Sequence, residues 1–340
     1  ARQPTLWFKT SRHVLPGPFQ ILAMFRRGLF FSYLTIYLRH YLGLSVTAST
    51  LFTTLPMIVN VLAQRYVWGV LSDRLQKRRL LIVCGEIMAG AGTILLFYAH
   101  KLPADAIAAR WVVIGGLAVI EIFWSMSNIG WSALISDVYR QAERSRIMGR
   151  LESIGGLGRI AGVLCGGLLY DRMGTALPAI TLSHVLNLRS AGLILAGIFA
   201  GRLCRSIGER RSLVYSSAGA VLALLIIGLT VNLAWICLSS LLMGISEVLI
   251  IASSYGLAAS YIPPEKRGTC FALFNATLFL SWGVGATLIS GPVTDGFMAL
   301  DVSEPHAYMA SFMACAAVAL AGILVLFRLF RLETNTGSNK

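Results

Sequence analysis

Apolar runs of about 20 residues recur along almost the whole chain, each long enough to cross a bilayer as an α-helix. They are read over Pro18 to Leu44, Val46 to Leu71, Leu80 to Ala99, Trp111 to Ile135 and Ile147 to Tyr170. After a less regular stretch come Ser212 to Thr230, Leu233 to Ala258, Phe271 to Val293 and Ala307 to Leu329. A soluble core is excluded. Only 13% of the 340 residues are charged, against about 25% in soluble domains, too few to cover a water-facing surface. The expected class is an all-α, multi-pass membrane protein. The sizeable hydrophilic ends are Ala1 to Gly17 and Glu333 to Lys340. The first apolar stretch is too long, and too late after a basic segment, to read as a cleavable secretory leader.

The formal net charge of +14 would point to nucleic acid in a soluble protein. Here the basic residues fall in short loops between apolar runs, where they report topology, so no nucleic-acid partner is expected. With the N-terminus in the cytoplasm, 20 Lys and Arg lie in inner segments and four lie outside: Arg39, Lys101, Arg110 and Arg172. Both termini are therefore expected in the cytoplasm of a cell of bacterial or archaeal type, with the spans in its inner (plasma) membrane. The six cysteines are scattered through the runs and read as small buried hydrophobes.

Two basic loops resemble each other at an offset of 132 residues: Gly69-Val-Leu-Ser-Asp73-Arg74-Leu-Gln76-Lys77-Arg78-Arg79 and Gly201-Arg-Leu-Cys-Arg205-Ser-Ile-Gly208-Glu-Arg210-Arg211. Glu143-Arg144 and Glu265-Lys266-Arg267-Gly268 form a second pair. Parallel repeats of this kind build two pseudo-symmetric halves around a midplane site. The offset is too short for two complete six-helix halves. Residues 1–186 are expected to form an N-terminal half with helix six incomplete, and 187–340 a C-terminal half lacking helix seven and part of helix eight. The break is expected near Val185 to Arg189, because His184, Asn187 and Arg189 interrupt the apolar pattern and a charge there is costly. One long crossing would also satisfy the topology.

The spacing of Gly69, Leu71, Asp73, Arg74, Lys77 and Arg78 resembles the loop between helices two and three of the major facilitator superfamily, which usually has Gly where this chain has Gln76. In that family the loop latches the two halves, so the resemblance makes Gly69, Asp73, Arg74, Lys77 and Arg78 gating residues. Gly201, Arg205 and Arg210 are their counterparts in the second loop. The fifth run carries Gly149, Gly158, Gly162, Gly166 and Gly167. This series is similar to the helix-five motif of the family's proton-coupled drug antiporters, which normally has Pro where this chain has Val163. The glycines equally suit close helix packing, and both readings stay open. The implied fold is the major facilitator fold.

Ionisable residues inside membrane spans are functional candidates. Arg26 and Arg27 lie in the first run, Glu121 in the fourth, Arg159 in the fifth and Glu247 in the tenth helix of the family's scheme. With Asn128 they form the expected substrate and proton cavity. Paired with arginine, Glu121 and Glu247 stay charged; unpaired in a low dielectric, they bind protons more readily. Glu121 and Arg159 are one expected pair. Trp124, Trp131 and Trp282 could add apolar wall, and Gln64 and Arg65 belong near the inner gate. His13, His40, His100, His184 and His306 are isolated. There is no metal-ligand spacing, catalytic dyad, phosphate loop or cofactor motif. The chain is thus expected to be a monomeric, non-enzymatic secondary transporter of a small organic solute, with proton-coupled efflux as the first mechanism. The alternatives are transport of an organic anion or metabolite by symport or uniport, and a non-transporting receptor of the same fold.

Overall fold

The computed structural model describes residues 16–41, 43–139, 141–172, 179–263 and 266–337. Among them the chain is helical and contains no strand. In chain order, α1 (Pro16–Ile36) ends in a π-helical turn, Tyr37–Tyr41. Next, α2 (Val46–Ala63) passes through a π-turn, Gln64–Trp68, into α3 (Gly69–Leu75). Then come α4 (Arg78–Ala99), α5 (Ala106–Val138), α6 (Gln141–Arg172), α7 (Ala179–Ile207), α8 (Glu209–Leu229) and α9 (Leu233–Tyr261). Finally, α10 (Arg267–Val284) passes through a π-turn, Gly285–Ser290, into α11 (Gly291–Ala299), and α12 (Glu304–Gly337) closes the chain. Eight of these helical stretches are long and apolar enough to cross a membrane by themselves. Many large apolar side chains, Leu22, Ile87, Leu95 and Leu168 among them, stand exposed along the spans, as suits a lipid solvent.

The helix starts follow local chemistry. The Ser45 hydroxyl accepts from the Ala48 N–H at 3.1 Å and opens α2, while the Asp105 carboxylate accepts from the Ile107 N–H at 3.1 Å and opens α5. Both are N-caps, which satisfy amide groups that a helix start leaves without partners.

The helices gather into two compact units. The first unites residues 1–34, 145–256 and 316–340; the second unites 35–144 and 257–315. Within the first, α6 lies against α1 along its glycines. A Cβ on Gly158 would run into the Ile21 carbonyl, one on Gly162 into the Phe25 carbonyl, and one on Gly166 into the Tyr33 ring. The buried Tyr33 hydroxyl donates to the Val163 carbonyl at 2.8 Å and lies 2.7 Å from Ser183 Oγ. The opposite face of α6 meets α7: Gly149 abuts the Gly197 carbonyl, and Ser153 Oγ donates to the Ile194 carbonyl at 3.1 Å. Small residues allow such approach where lipid gives helices no hydrophobic reason to associate.

The second unit packs α2 against α5 and α10, with α4 on α5. A seam of threonines joins α2 to the turn after α10. Thr54 Oγ1 donates to the Gly283 carbonyl at 2.6 Å, and Thr287 Oγ1 lies 2.5 Å from Thr54 Oγ1 and 2.8 Å from Thr50 Oγ1. Trp68 Nε1 donates to the Ile122 carbonyl of α5 at 2.7 Å.

Helix α7 runs unbroken through Val185 to Arg189, where the apolar pattern of the sequence is interrupted. Arg189 is tolerated there because it has an acidic partner, described below. The bundle is nevertheless short of the helices that two full halves would need.

Candidate transport site and gates

Both basic loops turn through a residue of positive φ. In the first, Gln76 takes the left-handed conformation at φ 54°; in the second, Gly208, its counterpart at the 132-residue offset, has φ 89°. Gly69 and Gly201 are both buried, as are Ser72 and Cys204. The repeated letters thus share a positive φ and two buried positions, while the two turns differ in ψ, 12° at Gln76 and 146° at Gly208. A positive φ is natural for glycine and strained for glutamine. Gln76 offsets part of that strain locally: its Nε2 donates to the Asp73 carbonyl at 2.7 Å and its Oε1 accepts from Arg78 at 3.0 Å.

Arg78 is the hub of the first loop. Only 4% exposed, it donates to the Ser72 carbonyl and, at 2.5 Å, to Ser72 Oγ, and sits 3.3 Å from the Asp137 carboxylate and 3.5 Å from Asp73. Asp73 in turn accepts from the Thr269 N–H and the Thr269 hydroxyl, both at 3.0 Å, at the start of α10. Arg74 and Lys77 are exposed. In the second loop Arg205 stands where the first has Asp73, so this loop offers no carboxylate cap. Arg210 lies over the Phe330 ring, 5.4 Å from its centroid. Glu265 lies outside the described residues, as do His13 and the side chains of His40, Arg144, Arg267 and Trp282.

A second clasp, which the sequence reading missed, holds the far end of the same helix. The Asp295 carboxylate accepts from the Val46 N–H at 3.0 Å and the Thr47 N–H at 2.8 Å. Asp295 lies beyond the apolar run that ends at Val293. Burial pushes its carboxyl up, but the bonds from Thr47 and Val46 outweigh that and hold it below the usual carboxylate range. The continuous α2–α3 rod is thus fastened to α10–α11 at both ends, each time by a carboxylate on a helix N-terminus, where the helix dipole favours negative charge. Nearby, Arg39 binds Glu304 at 2.6 Å.

The intramembrane charges fall into two groups, one in each unit. In the first unit Glu247 sits in the middle of α9. Arg189 Nε donates to it at 2.8 Å, and Arg159 Nη1 lies 3.8 Å away. Arg159 also points Nη2 at Met24 Sδ, 3.8 Å away. Glu152 of α6 and Arg27 of α1 are electrostatic neighbours of this cluster. Three arginines therefore face two carboxylates. Of the expected cavity residues, the structure brings together Arg27, Arg159 and Glu247; Arg26, on the same helix as Arg27, is half-buried. Glu152 and Arg189 were not anticipated as partners. Glu152 stands seven residues before Arg159, two turns up the same helical face, a spacing that could have signalled it. Arg189 was read as an interruption of a span.

In the second unit Glu121, 7% exposed, accepts from Asn60 Nδ2 at 2.5 Å, and Asn60 accepts from Gln64 Nε2. Asn60 and Gln64 are both fully buried on α2 and its π-turn. Glu121 and Arg159, expected as a pair, fall one in each unit; within the first unit Glu247 faces Arg159. Asn128, on α5, has a buried Nδ2 with no hydrogen-bond partner among the described residues, an open donor for a ligand. No group of three metal-binding side chains occurs among the described residues.

Membrane-spanning helices of small-residue packing, two similar basic loops and charge clusters at mid-span define a polytopic helical bundle. The family profile described as Major Facilitator Superfamily matches residues 18–185 and 175–340, and the chain belongs to that superfamily of membrane transporters. No curated protein matches it. Among solved structures it is similar to the human organic anion transporter MFSD10 (TETRAN), with TM-score 0.60 and 14% identity over 95% of this chain and 100% of that one. It is also similar to a bacterial homologue of the iron transporter ferroportin in an outward-facing state, with TM-score 0.60 and 12% identity over 92% and 98%. At such identities the likeness speaks for the fold.

Proposed function

We propose that the chain is a proton-linked secondary transporter of a small organic anion, working by alternating access. The carrying observation is Glu247 held between Arg189 and Arg159 at mid-span. An anionic substrate group would compete with Glu247 for the same two guanidiniums, which bind carboxylates and phosphates through planar paired donors. A Glu247 carboxylate released from its arginines binds a proton more readily. Substrate and proton then load together, and the charge of the cluster is unchanged by the pair, which suits passage through a low-dielectric interior. The human structural neighbour is an organic anion transporter, in agreement with this substrate class.

A second reading is proton-coupled efflux of amphipathic compounds. It is supported by the glycine series of α6 and by Glu121, a buried mid-span carboxylate that accepts from Asn60 and could exchange a proton against a cationic substrate. In both readings the Asp73 and Asp295 clasps are the gates. The basic loops and both termini face the cytoplasm, the chain sits in the plasma membrane as a monomer, and the halves divide at residues 186 and 187.

The test is transport in proteoliposomes of the complete gene product under an imposed pH gradient, with internal pH read by a dye. Organic anions that carry protons inward with them, and lose that coupling in Glu247→Gln, support the first reading. Proton counterflow driven by cationic drugs and abolished in Glu121→Gln replaces it with the second. Binding without flux of either class would overturn transport itself and leave a receptor of the same fold.

A further inference from the structure

Beside the second basic loop, a cavity of about 420 Å³ lies between α6 and α7, lined by Arg146, Arg150, Ile198, Arg202 and Arg205. The first pair of arginines is one helical turn apart on α6, the second about one turn apart on α7, so all four guanidiniums share one opening. Close helix approach forces this arrangement. Gly201 packs on the backbone and Cβ of Arg146, and Gly149 on the Gly197 carbonyl, so the two arginine pairs cannot separate. Among the described residues none of the four makes an ion pair, and no carboxylate lines the cavity. The inside excess of basic residues explains arginines at this end of the helices; it does not explain four of them converging across two helices with no acid between.

We propose that this cavity binds a phosphate group, held by paired donors from both helices. Guanidinium forks match phosphate oxygens two by two, and one doubly charged group relieves the mutual repulsion of four cations. The ligand has a second recognisable part. Below the cavity α7 presents Leu195, Ile198 and Phe199, each more than half exposed, as an apolar strip leading toward the middle of the helix. A phosphate in the cavity with an acyl chain on that strip is the head and tail of an anionic phospholipid. A free phosphate compound would use the cavity alone.

The full chain in a neutral maltoside detergent supplies the test, with melting followed by tryptophan fluorescence at constant ionic strength. The probes are dioctanoyl phosphatidic acid, dioctanoyl phosphatidylcholine and sodium phosphate, against sodium chloride. Phosphatidic acid is expected to raise the melting temperature by several degrees, saturably, and phosphatidylcholine to do so far less. The apparent affinity for phosphatidic acid should fall at least tenfold in the double variant Arg150→Gln, Arg202→Gln. In Arg150→Lys, Arg202→Lys, which keeps the charge and folds under the same constraints, it should fall three-fold or more. A shift with sodium phosphate as large as that with phosphatidic acid assigns the site to soluble phosphates; a shift with the lipid alone assigns it to a headgroup. No saturable shift with either phosphate probe, or equal shifts in wild type and the lysine variant, overturns the proposal.

Discussion

Gln76 shows how a single residue can keep a turn at a cost. Its left-handed backbone is one that L-residues adopt at roughly 1–2 kcal/mol, and its two side-chain hydrogen bonds recover part of this. Gln76→Gly is expected to leave the protein as stable or up to about 1 kcal/mol more so. Gln76→Val, β-branched and without the hydrogen bonds, should lose about 2 kcal/mol. Melting of the two variants in detergent checks the order. The same position explains why the resemblance to the family loop survives a missing glycine. Glutamine has the reach to bond both Asp73 and Arg78, a substitution that spacing alone cannot weigh. Arg189 is the other residue on which function turns. Arg189→Gln removes a charge-assisted bond to Glu247 and is expected to weaken organic anion uptake by tenfold or more in KM, with Arg189→Lys intermediate because it keeps charge without the fork. Radiolabelled uptake measures both.

At the scale of elements, the glycines of α6 and the two clasps on α2–α3 make separate predictions. Gly162→Leu drives a side chain into the Phe25 carbonyl and the Leu29 N–H of α1. It should cost about 3 kcal/mol, at the upper end of the range for overpacking, and appear as a fall in melting temperature or loss of folded yield. For the clasp at Asp295, a carboxyl held low when folded contributes stability that is full above the unfolded value, about 3.9, and disappears as pH falls through the lower folded value. The wild-type advantage over Asp295→Asn, about 1 kcal/mol as for other N-caps, should therefore be constant near neutrality and shrink once the pH falls below the unfolded value toward the lower folded one. Parallel melts of the two proteins from pH 7 downward would show it. The glycine series and Asp73 were readable in sequence because they recur at helical spacing or in a loop. Asp295 was not: a lone acid two residues past an apolar run looks like any solvated end, and only the fold brings it to Val46.

For the molecule as a whole, the spans other than α7 were legible to within several residues at each end, because apolar length is set by bilayer thickness and not by tertiary detail. The repeat was legible because its loops keep their letters. The charge clusters were legible only as members. Depth along a helix can be counted, but the partner of Arg159 within its unit depends on helix rotation and neighbour identity, which place Glu247 beside it. Coupling by Glu247 makes a whole-protein prediction. Anion uptake in proteoliposomes should quicken as the outside is acidified and the inside held neutral, and Glu247→Gln should flatten that dependence while leaving the protein folded.

The unbroken α7 has a consequence for how the chain is made. It enters the membrane with Arg189 aboard, a residue that insertion into a bilayer disfavours by about 3 kcal/mol at mid-helix. Its carboxylate is 58 residues further along the chain. At ribosomal speeds of roughly 5–20 residues per second, that leaves an interval of about 3 to 12 seconds in which the guanidinium has no Glu247 to meet. During that interval α7 depends on the helices already beside it, above all the glycine face of α6, so the order of synthesis gives α6 the part of a chaperone built into the same polypeptide.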